Sequence, residues 1–224
     1  TTMINDNMYV YDYVDGEMLS NISDEKLMRK FLDDCQENLF VKKEVKNKSE
    51  FVSNCEEMYE CKTKERVLKL SDTKLDKVSV INGVKVKPIE EMLHDIDWDW
   101  FYEIATPSYF HGDLQPENIL YDKGKDKFVL IDWRQRFGNS IKIGDVYYDL
   151  GKLYHAIMIN GQSILKDMFS YEIKGSSGTV DFYAKSNLVY FMDVFKKFCS
   201  DNEYDWEAVE LLGILQYFNI SKDY

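Results

Sequence analysis

The chain has 224 residues, of which 45% are hydrophobic and 15% aromatic, enough for one large domain or two small ones with a real core. Its net charge of −12 argues against a nucleic-acid-binding surface, is compatible with a cationic ligand, and otherwise simply favours solubility. No run of about 18 apolar residues is present, so we expect no membrane span.

The four cysteines do not form a recognisable framework. Only Cys55 and Cys61 are close in sequence, and no histidine follows them at the spacing of a zinc finger. We therefore expect reduced, mostly buried thiols in a cytoplasmic protein. The N-terminus has no basic, apolar leader, so no signal peptide is predicted.

The N-terminal pattern predicts a strand followed by a helix. Residues 8–14 are β-branched and aromatic, which favours a strand, and Gly16 interrupts the pattern soon afterwards. Apolar residues then recur at steps of four from Leu27 to Leu39, as on one face of a helix. Ser23 is the expected N-cap of that helix.

The middle of the chain predicts helices around one hairpin. Residues 49–70 combine apolar positions at helical spacing with many Glu and Lys, which indicates a helix with a solvated face. Asn82 and Gly83 lie between two β-branched runs, the strongest short signal of a hairpin. Pro88 then opens a helix predicted over residues 90–103.

The most informative stretch begins at His111. Asp113 follows two residues later, and Asn118 precedes an apolar strand. A polar segment centred on Gly124 predicts a hairpin turn, after which a second apolar strand ends on Asp132. The carboxylates and the amide are therefore expected at one end of a two-stranded ribbon.

A hairpin here brings Asn118 and Asp132 side by side. An amide oxygen and a carboxylate are suitable ligands for Mg²⁺, which takes its remaining ligands largely from phosphates and water. Asp113, on the loop before the ribbon, would then accept a proton from a substrate hydroxyl. These residue types in this order form the constellation of phosphoryl transfer.

Helices rich in aromatic residues are predicted after the ribbon. One begins at Asp145, whose carboxylate suits a helix N-terminus. Residues 175–178 are expected to form a flexible link, and two further helices are predicted around residues 180–199 and 205–218. Their aromatic side chains favour a helical core, with a cage for a quaternary amine as the alternative.

The central stretch resembles the catalytic loop of the aminoglycoside phosphotransferase and choline kinase family, the small-molecule relatives of protein kinases. The His-Gly-Asp of residues 111–113 stands where protein kinases have His-Arg-Asp, and the Ile-Asp-Trp of residues 131–133 stands where they have Asp-Phe-Gly. Residues 144–150 are similar to the family signature Gly-Asp-x-x-Tyr-Asp-Leu. The motifs occur in the right order, and the resemblance concerns mainly the C-terminal lobe.

The resemblance implies an α+β fold: a protein-kinase-like C-terminal lobe, mostly helical with short β-hairpins, whose N-terminal lobe is missing. Residues 1–19 would form a hinge-like strand and linker, and residues 20–224 the lobe, with its catalytic loop at 109–118 and its metal-binding strand end at 128–133. Residues 1–110 contain no Gly-x-Gly-x-x-Gly motif. We therefore expect the chain to be part of a longer protein that also carries the N-terminal lobe, with a degenerate relative as the alternative.

The resemblance also implies the cofactors, which are ATP (or GTP) and Mg²⁺. The backbone of Asp12 and Val14 at the hinge, together with Ile131, would contact the nucleotide. Asn118 and Asp132 would hold Mg²⁺, which neutralises the charge that develops on the phosphates.

In the same family pattern, Asp113 is the catalytic carboxylate. A group that orients the acceptor hydroxyl and takes its proton late suits a loose, metaphosphate-like transition state. His111 is expected to hold the loop by hydrogen bonding. Asp145 corresponds to an aspartate that braces the catalytic loop in relatives. The expected partner is a small molecule with a hydroxyl group.

Arg134 and Arg136 follow the metal-binding aspartate, where close relatives often place an acidic residue. Two guanidinium groups there would clamp an anion, which favours a sugar or a sugar phosphate over a purely cationic acceptor. The alternative is that they pair with carboxylates such as Asp145 or Asp149.

The leading functional hypothesis is a Mg²⁺-dependent transfer of the γ-phosphate of ATP to a hydroxyl of a sugar, an amino alcohol or an aminoglycoside. The second is a pseudokinase or ligand-binding module without transfer activity, because a glycine-rich loop and the strand lysine are not found. A protein kinase is a third reading. Gly-Asp in place of Arg-Asp, and the lack of an Ala-Pro-Glu segment, weigh against it.

Overall fold

The computed structural model describes residues 2–5, 8–10, 13–69 and 77–220, with side chains over residues 13–69 and 77–218. About half of the residues are helical, and the strands form small separate sheets. The predicted α+β class is thereby confirmed, whereas the assignment to a C-terminal lobe stays a prediction. In this described part of the chain, no helix is both long and apolar enough to cross a membrane.

The helices are distributed along the whole described chain. They are α1 (Glu25–Asn38), α2 (Lys48–Glu56), α3 (Lys62–Leu68), α4 (Ile89–His94), α5 (Trp98–Ile104), α6 (Val146–Met158), α7 (Gly161–Leu165), α8 (Ser186–Asp201) and α9 (Trp206–Ile220). A π-helical turn at Glu57–Cys61 joins α2 to α3, and short 3₁₀ turns lie at Leu19–Asn21 and Pro116–Asn118.

The strands are short and mostly paired as hairpins. They are β1 (Thr2–Asn5), β2 (Met8–Val10), β3 (Glu17–Met18), β4 (Val80–Ile81), β5 (Val84–Lys85), β6 (Pro107–Ser108), β7 (Ile119–Asp122), β8 (Lys127–Leu130), β9 (Gly144–Asp145), β10 (Phe169–Lys174) and β11 (Ser177–Phe182). The sheet orders are β1-β2, β10-β11-β4-β5, β3-β7-β8 and β6-β9.

The N-terminal strand is shorter than predicted. It occupies β2 and pairs antiparallel with β1, and Val14 lies outside any strand. Asp12 lies outside the described residues. The helix that follows is capped by Asp24 and not by Ser23, because the Asp24 carboxylate accepts hydrogen bonds from the backbone of the first turn.

The middle of the chain contains helices and a hairpin as predicted, but one predicted helix is interrupted. The hairpin at Asn82 and Gly83 is confirmed, with both residues at positive φ as a two-residue turn requires. The helix predicted over residues 90–103 is two helices, α4 and α5. The second starts at its own cap, Asp97, whose carboxylate accepts a hydrogen bond from the backbone N–H of Trp100.

The segment predicted as a link is the turn of a hairpin. Gly175 lies at the turn between β10 and β11, at a φ of 62°. Residues 180–182 therefore continue a strand, and α8 starts only at Ser186. Apolar and polar residues alternate strictly along Phe169–Lys174, which is the pattern of a strand, so the sequence carried a signal here that the prediction did not use.

The core centres on α6, in which every residue except Met158 is buried. Helix α9 packs across α6 at two glycines, where the backbones approach closely: a Cβ on Gly151 would lie 3.0 Å from Leu212 Cβ. The N-terminus of α6 lies beside the loop at residues 109–118, because Asp145 in β9 pairs with Pro107 in β6. The most buried helix of the protein thus supports the predicted catalytic loop.

Candidate active site

The hairpin of β7 and β8 places the predicted metal ligands next to each other. Ile119 pairs with Leu130, and one step further the backbone N–H of Ile131 donates to the carbonyl of Asn118 over 2.9 Å. Asp132 follows directly, at a left-handed φ of 58°, and its side chain is exposed. Ile131 is half-buried at this strand end.

Asn118 is buried and points its amide towards the loop. Its amide nitrogen donates to the backbone carbonyl of Asp113 over 3.0 Å and to Oδ2 of the same residue over 3.3 Å. Since the nitrogen is used in this way, the amide oxygen is the atom left available for another ligand. Asn118 and Asp132 together offer oxygen ligands of the kind that Mg²⁺ prefers.

No group of three or more His, Cys, Asp or Glu side chains arranged to hold a metal ion occurs among the described residues. An amide and one carboxylate do not make such a group. They fit a magnesium ion only where phosphate oxygens complete its coordination. The donor set therefore fits a nucleotide-bound Mg²⁺ and does not resemble an all-protein metal site.

Asp113 is held from three sides. Besides Asn118, the side-chain amide of Gln115 donates to its Oδ2 over 3.1 Å, and the ammonium of Lys152 lies 3.1 Å from its Oδ1. Lys152 comes from α6 and is almost fully buried, while Asp113 remains partly exposed. Burial lowers the pKa of Lys152, although Asp113 acts in the opposite direction.

His111 links the loop to the end of β8. Its Nε2 lies 2.8 Å from the carbonyl of Ile131, and its Nδ1 lies 3.2 Å from the backbone N–H of Asp113. A carbonyl can only accept and an N–H can only donate, so the proton is on Nε2 and Nδ1 accepts. Burial lowers the pKa of His111, which fits this neutral form. The side chain makes the hydrogen bonds expected of a residue that holds the loop.

The residue that braces the loop from α6 is Asp149. Its carboxylate accepts hydrogen bonds from the backbone N–H groups of His111 and Gly112 over 2.6 and 2.7 Å. Asp149 is fully buried, and this desolvation raises its pKa to about 7 although the two hydrogen bonds oppose the rise.

Asp145 supports a different part of the structure from the one that its resemblance implied. Its carboxylate accepts hydrogen bonds from the hydroxyl of Tyr59 over 2.6 Å and from the backbone N–H of Thr106 over 2.8 Å. It also accepts from the backbone N–H of Tyr147, so its predicted role as the cap of α6 is confirmed. Burial raises its pKa to about 6. Asp145 therefore holds the chain before the loop, while Asp149 holds the loop itself.

Arg134 contacts the catalytic loop through its backbone and its stem. Its N–H donates to the carbonyl of His111 over 2.9 Å. Gly112 has a φ of 81°, and a Cβ on this glycine would lie 2.6 Å from Cβ of Arg134. The loop therefore needs a glycine here both for its backbone conformation and for the close approach of Arg134.

The guanidinium groups of Arg134 and Arg136 form no salt bridge within the described residues, and both side chains are exposed. The alternative that they pair with Asp145 or Asp149 is wrong, because both carboxylates are buried and take their hydrogen bonds elsewhere. Their charges are therefore available to a ligand.

Lys152 and the bracing role of Asp149 were missed by the sequence reasoning. Asp149 lies within the signature at residues 144–150. The sequence does not indicate, however, which backbone N–H groups will donate hydrogen bonds to a carboxylate on a helix. Lys152 is three residues further along the same helix, so both point from one side of α6. A lysine within an otherwise apolar helix is the signal that was available, since such a residue is rarely buried without a partner.

Residues 80–172 match the model of a family described as the phosphotransferase enzyme family. The matched region contains the predicted catalytic loop, the predicted metal-binding strand end and α6, so the resemblance seen in the motifs is confirmed. No curated protein and no solved structure matches the chain significantly.

Proposed function

We propose that the protein is a Mg²⁺-dependent phosphotransferase that moves the γ-phosphate of ATP (or GTP) to a hydroxyl of a small molecule such as a sugar, an amino alcohol or an aminoglycoside. The observation that carries this proposal is the arrangement of Asp113, which is oriented by Asn118 and Lys152 in a loop that His111 joins to the end of β8. The family match supports the reaction class.

In this proposal, Asp113 orients the acceptor hydroxyl and takes its proton. The oxygen of the acceptor forms a bond to the γ-phosphorus as the bond from that phosphorus to the β-phosphate oxygen breaks, and ADP leaves. The backbone and side-chain hydrogen bonds to the loop keep Asp113 in place, so that positioning supplies much of the rate. Bound Mg²⁺, held by Asn118 and Asp132, would neutralise charge on the phosphates.

The nucleotide would lie against the end of β8 at Ile131 and against the hinge backbone at Asp12 and Val14. The glycine-rich loop and strand lysine of such a site are proposed to belong to an N-terminal lobe in the same full-length protein. A cytoplasmic location, where ATP is supplied, goes with this proposal.

A thermal-shift titration with ATP, Mg²⁺ and both together tests nucleotide binding. Mg·ATP is expected to raise the melting temperature by mass action, and Asp132→Asn is expected to remove most of that rise. Asp99→Asn, at an exposed position in the first turn of α5, is the matched control and should behave as the wild type. A shift that does not depend on Mg²⁺ or on Asp132 would contradict the metal assignment.

The catalytic assignment is tested by Asp113→Asn under saturating substrates. Loss of the general base is expected to lower phosphoryl transfer by about 10²- to 10⁴-fold. The Mg·ATP-induced shift should remain, because Asp113 does not bind the nucleotide in the proposed mechanism. Unchanged transfer in this variant would exclude Asp113 as the base.

A second candidate is a binding module without transfer activity. The ion pair between Asp113 and Lys152 favours it, because it occupies one oxygen of the carboxylate that would receive the proton of the acceptor. A protein that binds Mg·ATP but releases no ADP with any hydroxyl acceptor, in the wild type and in Lys152→Met alike, would be such a module.

A further inference from the structure

Four cationic side chains form a group near Asp113, in which Lys62 interacts electrostatically with Lys152, Arg134 and Arg66, and with Asp113 itself. Lys152 contacts the carboxylate directly, and Arg134 packs on the loop at Gly112. Lys62 and Arg66 come from α3, four residues apart, which places them on the same face of that helix. The π-helical turn at Glu57–Cys61 ends directly before Lys62, and such turns often occur at functional sites.

Two of the three guanidinium nitrogens of Arg66, Nε and Nη1, are buried without a hydrogen-bond partner among the described residues. The hydroxyl of Tyr148, on the fully buried face of α6, is also without a hydrogen bond there. Burial raises the pKa of Tyr148, while the charge of Arg134 lowers it and that of Asp113 raises it. Buried donors without partners are rare, and they indicate a missing ligand or water.

The positive charges of the cluster are close enough to affect each other. Burial, followed by repulsion from Arg134, Lys152 and Arg66, lowers the pKa of Lys62 to about 8. The neighbouring carboxylates do not neutralise the cluster, because Asp113 is paired with Lys152 and Asp149 is engaged with the backbone of the loop. The cluster therefore retains unpaired positive charge, in contrast to the net charge of −12 of the whole chain.

We propose that the acceptor of the transferred phosphate is itself an anion, and that its phosphate or carboxylate group binds between Lys62, Arg66 and Arg134. This places the hydroxyl of the same molecule next to Asp113. The inference rests on the proposed function, since it names the chemical class of the acceptor in that site. It selects sugar phosphates and sugar acids over aminoglycosides and amino alcohols.

Isothermal titration calorimetry with inorganic phosphate as the probe tests this assignment, in a buffer without other anions of its kind. The titration is made with and without a non-hydrolysable Mg·ATP analogue, which fills the nucleotide phosphate sites. Phosphate is expected to bind in both conditions. Arg66→Gln is expected to weaken this binding by about tenfold or more, as the loss of a charged hydrogen bond predicts.

Two further variants separate binding from folding. Arg66→Lys keeps the charge and should recover part of the affinity, with a melting temperature close to that of the wild type. Lys64→Gln is the matched control, because Lys64 lies on the same helix but is exposed and pairs with Glu60. It should bind phosphate as the wild type does.

The outcomes keep this inference apart from the proposed function. If the Mg·ATP analogue abolishes phosphate binding, the cluster holds the γ-phosphate of the nucleotide and the inference is wrong. The inference is also wrong if phosphate does not bind at all, or if it binds equally well to Arg66→Gln. In these cases the proposed function stands if the analogue binds. Phosphate binding that depends on Arg66, in a protein that binds no Mg·ATP analogue, would instead remove the nucleotide from the proposal and keep the anion site.

Competition adds a second readout for the class of acceptor. Glucose 6-phosphate and glucuronate are expected to displace inorganic phosphate from the wild type, whereas glucose and choline are expected not to displace it. Displacement by choline, or by glucose as effectively as by its phosphate, would contradict an anion-selective site.

Discussion

The predicted catalytic loop, residues 109–118, and the loop after β8, residues 132–142, lie against each other but are held differently. The first is fixed by buried groups: Asp149 accepts from its backbone, and His111 bonds to the end of β8. The second begins with five exposed side chains, at residues 132–136, and has Ile141 at 66% exposure. The comparison shows that residues 109–118 are held in one conformation by buried hydrogen bonds, whereas the charged side chains of the loop after β8 remain accessible to a ligand.

Asp149→Asn is expected to have the largest effect, because it removes one of the two acceptors that fix the first loop. Phosphoryl transfer should fall by about 100-fold through misplacement of Asp113, and the protein should lose about 3 kcal/mol of stability. Asp145→Asn, at the N-cap of the same helix, is the matched comparison. It should destabilise by a similar amount but cost less activity, since Asp145 does not contact the loop at residues 109–118. Steady-state kinetics and urea unfolding of both variants measure these effects. Equal losses of activity would contradict the different roles of Asp149 and Asp145.

Gly112→Ala tests the contact between the two loops. We expect a loss of about 2 kcal/mol, from the left-handed φ and from the clash with Arg134. Gly83→Ala has nearly the same φ, 80°, but nothing within 4 Å, so it isolates the cost of the backbone alone. Urea unfolding should show the smaller loss for Gly83→Ala. Equal losses of stability in the two variants would mean that Arg134 moves away from the new methyl group without a cost in free energy.

The pH dependence of stability should reveal the buried carboxylate of Asp149. Asp149 has its pKa raised to about 7, so between about pH 4 and 7 the folded protein holds a proton that the unfolded chain has lost. Its contribution to stability therefore falls as the pH rises through this window and is constant above it. The difference between wild type and Asp149→Asn should grow on acidification, by at most about 1.4 kcal/mol per pH unit. Urea unfolding at pH 8, 6 and 5 measures it, and a difference that shrinks towards low pH would have the wrong sign.

Arg136→Gln should have the smallest effect on stability. Its side chain is exposed and forms no salt bridge among the described residues, so the change should stay within about 0.5 kcal/mol. Thermal unfolding checks this. A larger loss would show that the loop after β8 is held by its side chains after all.

The local order of the site was predictable because each signal there is short-range. The polar turn at Gly124 predicted the hairpin, and the hairpin alone places Asn118 beside Asp132. The helix that follows was predictable from its cap at Asp145. In these cases the residues that determine the structure are neighbours in sequence.

The supports of the site were not predictable, because they depend on packing between distant segments. The carboxylate of Asp149 reaches the loop across 38 residues of sequence, and Lys152 reaches Asp113 from the next turn of the same helix. Lys62 and Arg66 belong to a helix that was read as a solvated surface. Their relation to the site depends on the folded structure, in which the charges of Arg134, Lys152 and Asp113 act on the pKa of Lys62.

The burial of α6 has a consequence for how the site can open. Its backbone amides are covered on all sides, so their exchange with solvent deuterium requires unfolding of the core as a whole. We therefore expect Asp149 and Lys152 to belong to the slowest-exchanging part of the protein, and the exposed loop after β8 to exchange through local opening. In consequence, we expect that a ligand can enter or leave past Arg134 through a local movement of the loop after β8. During this movement Asp113 would remain in contact with Lys152, and its loop with Asp149.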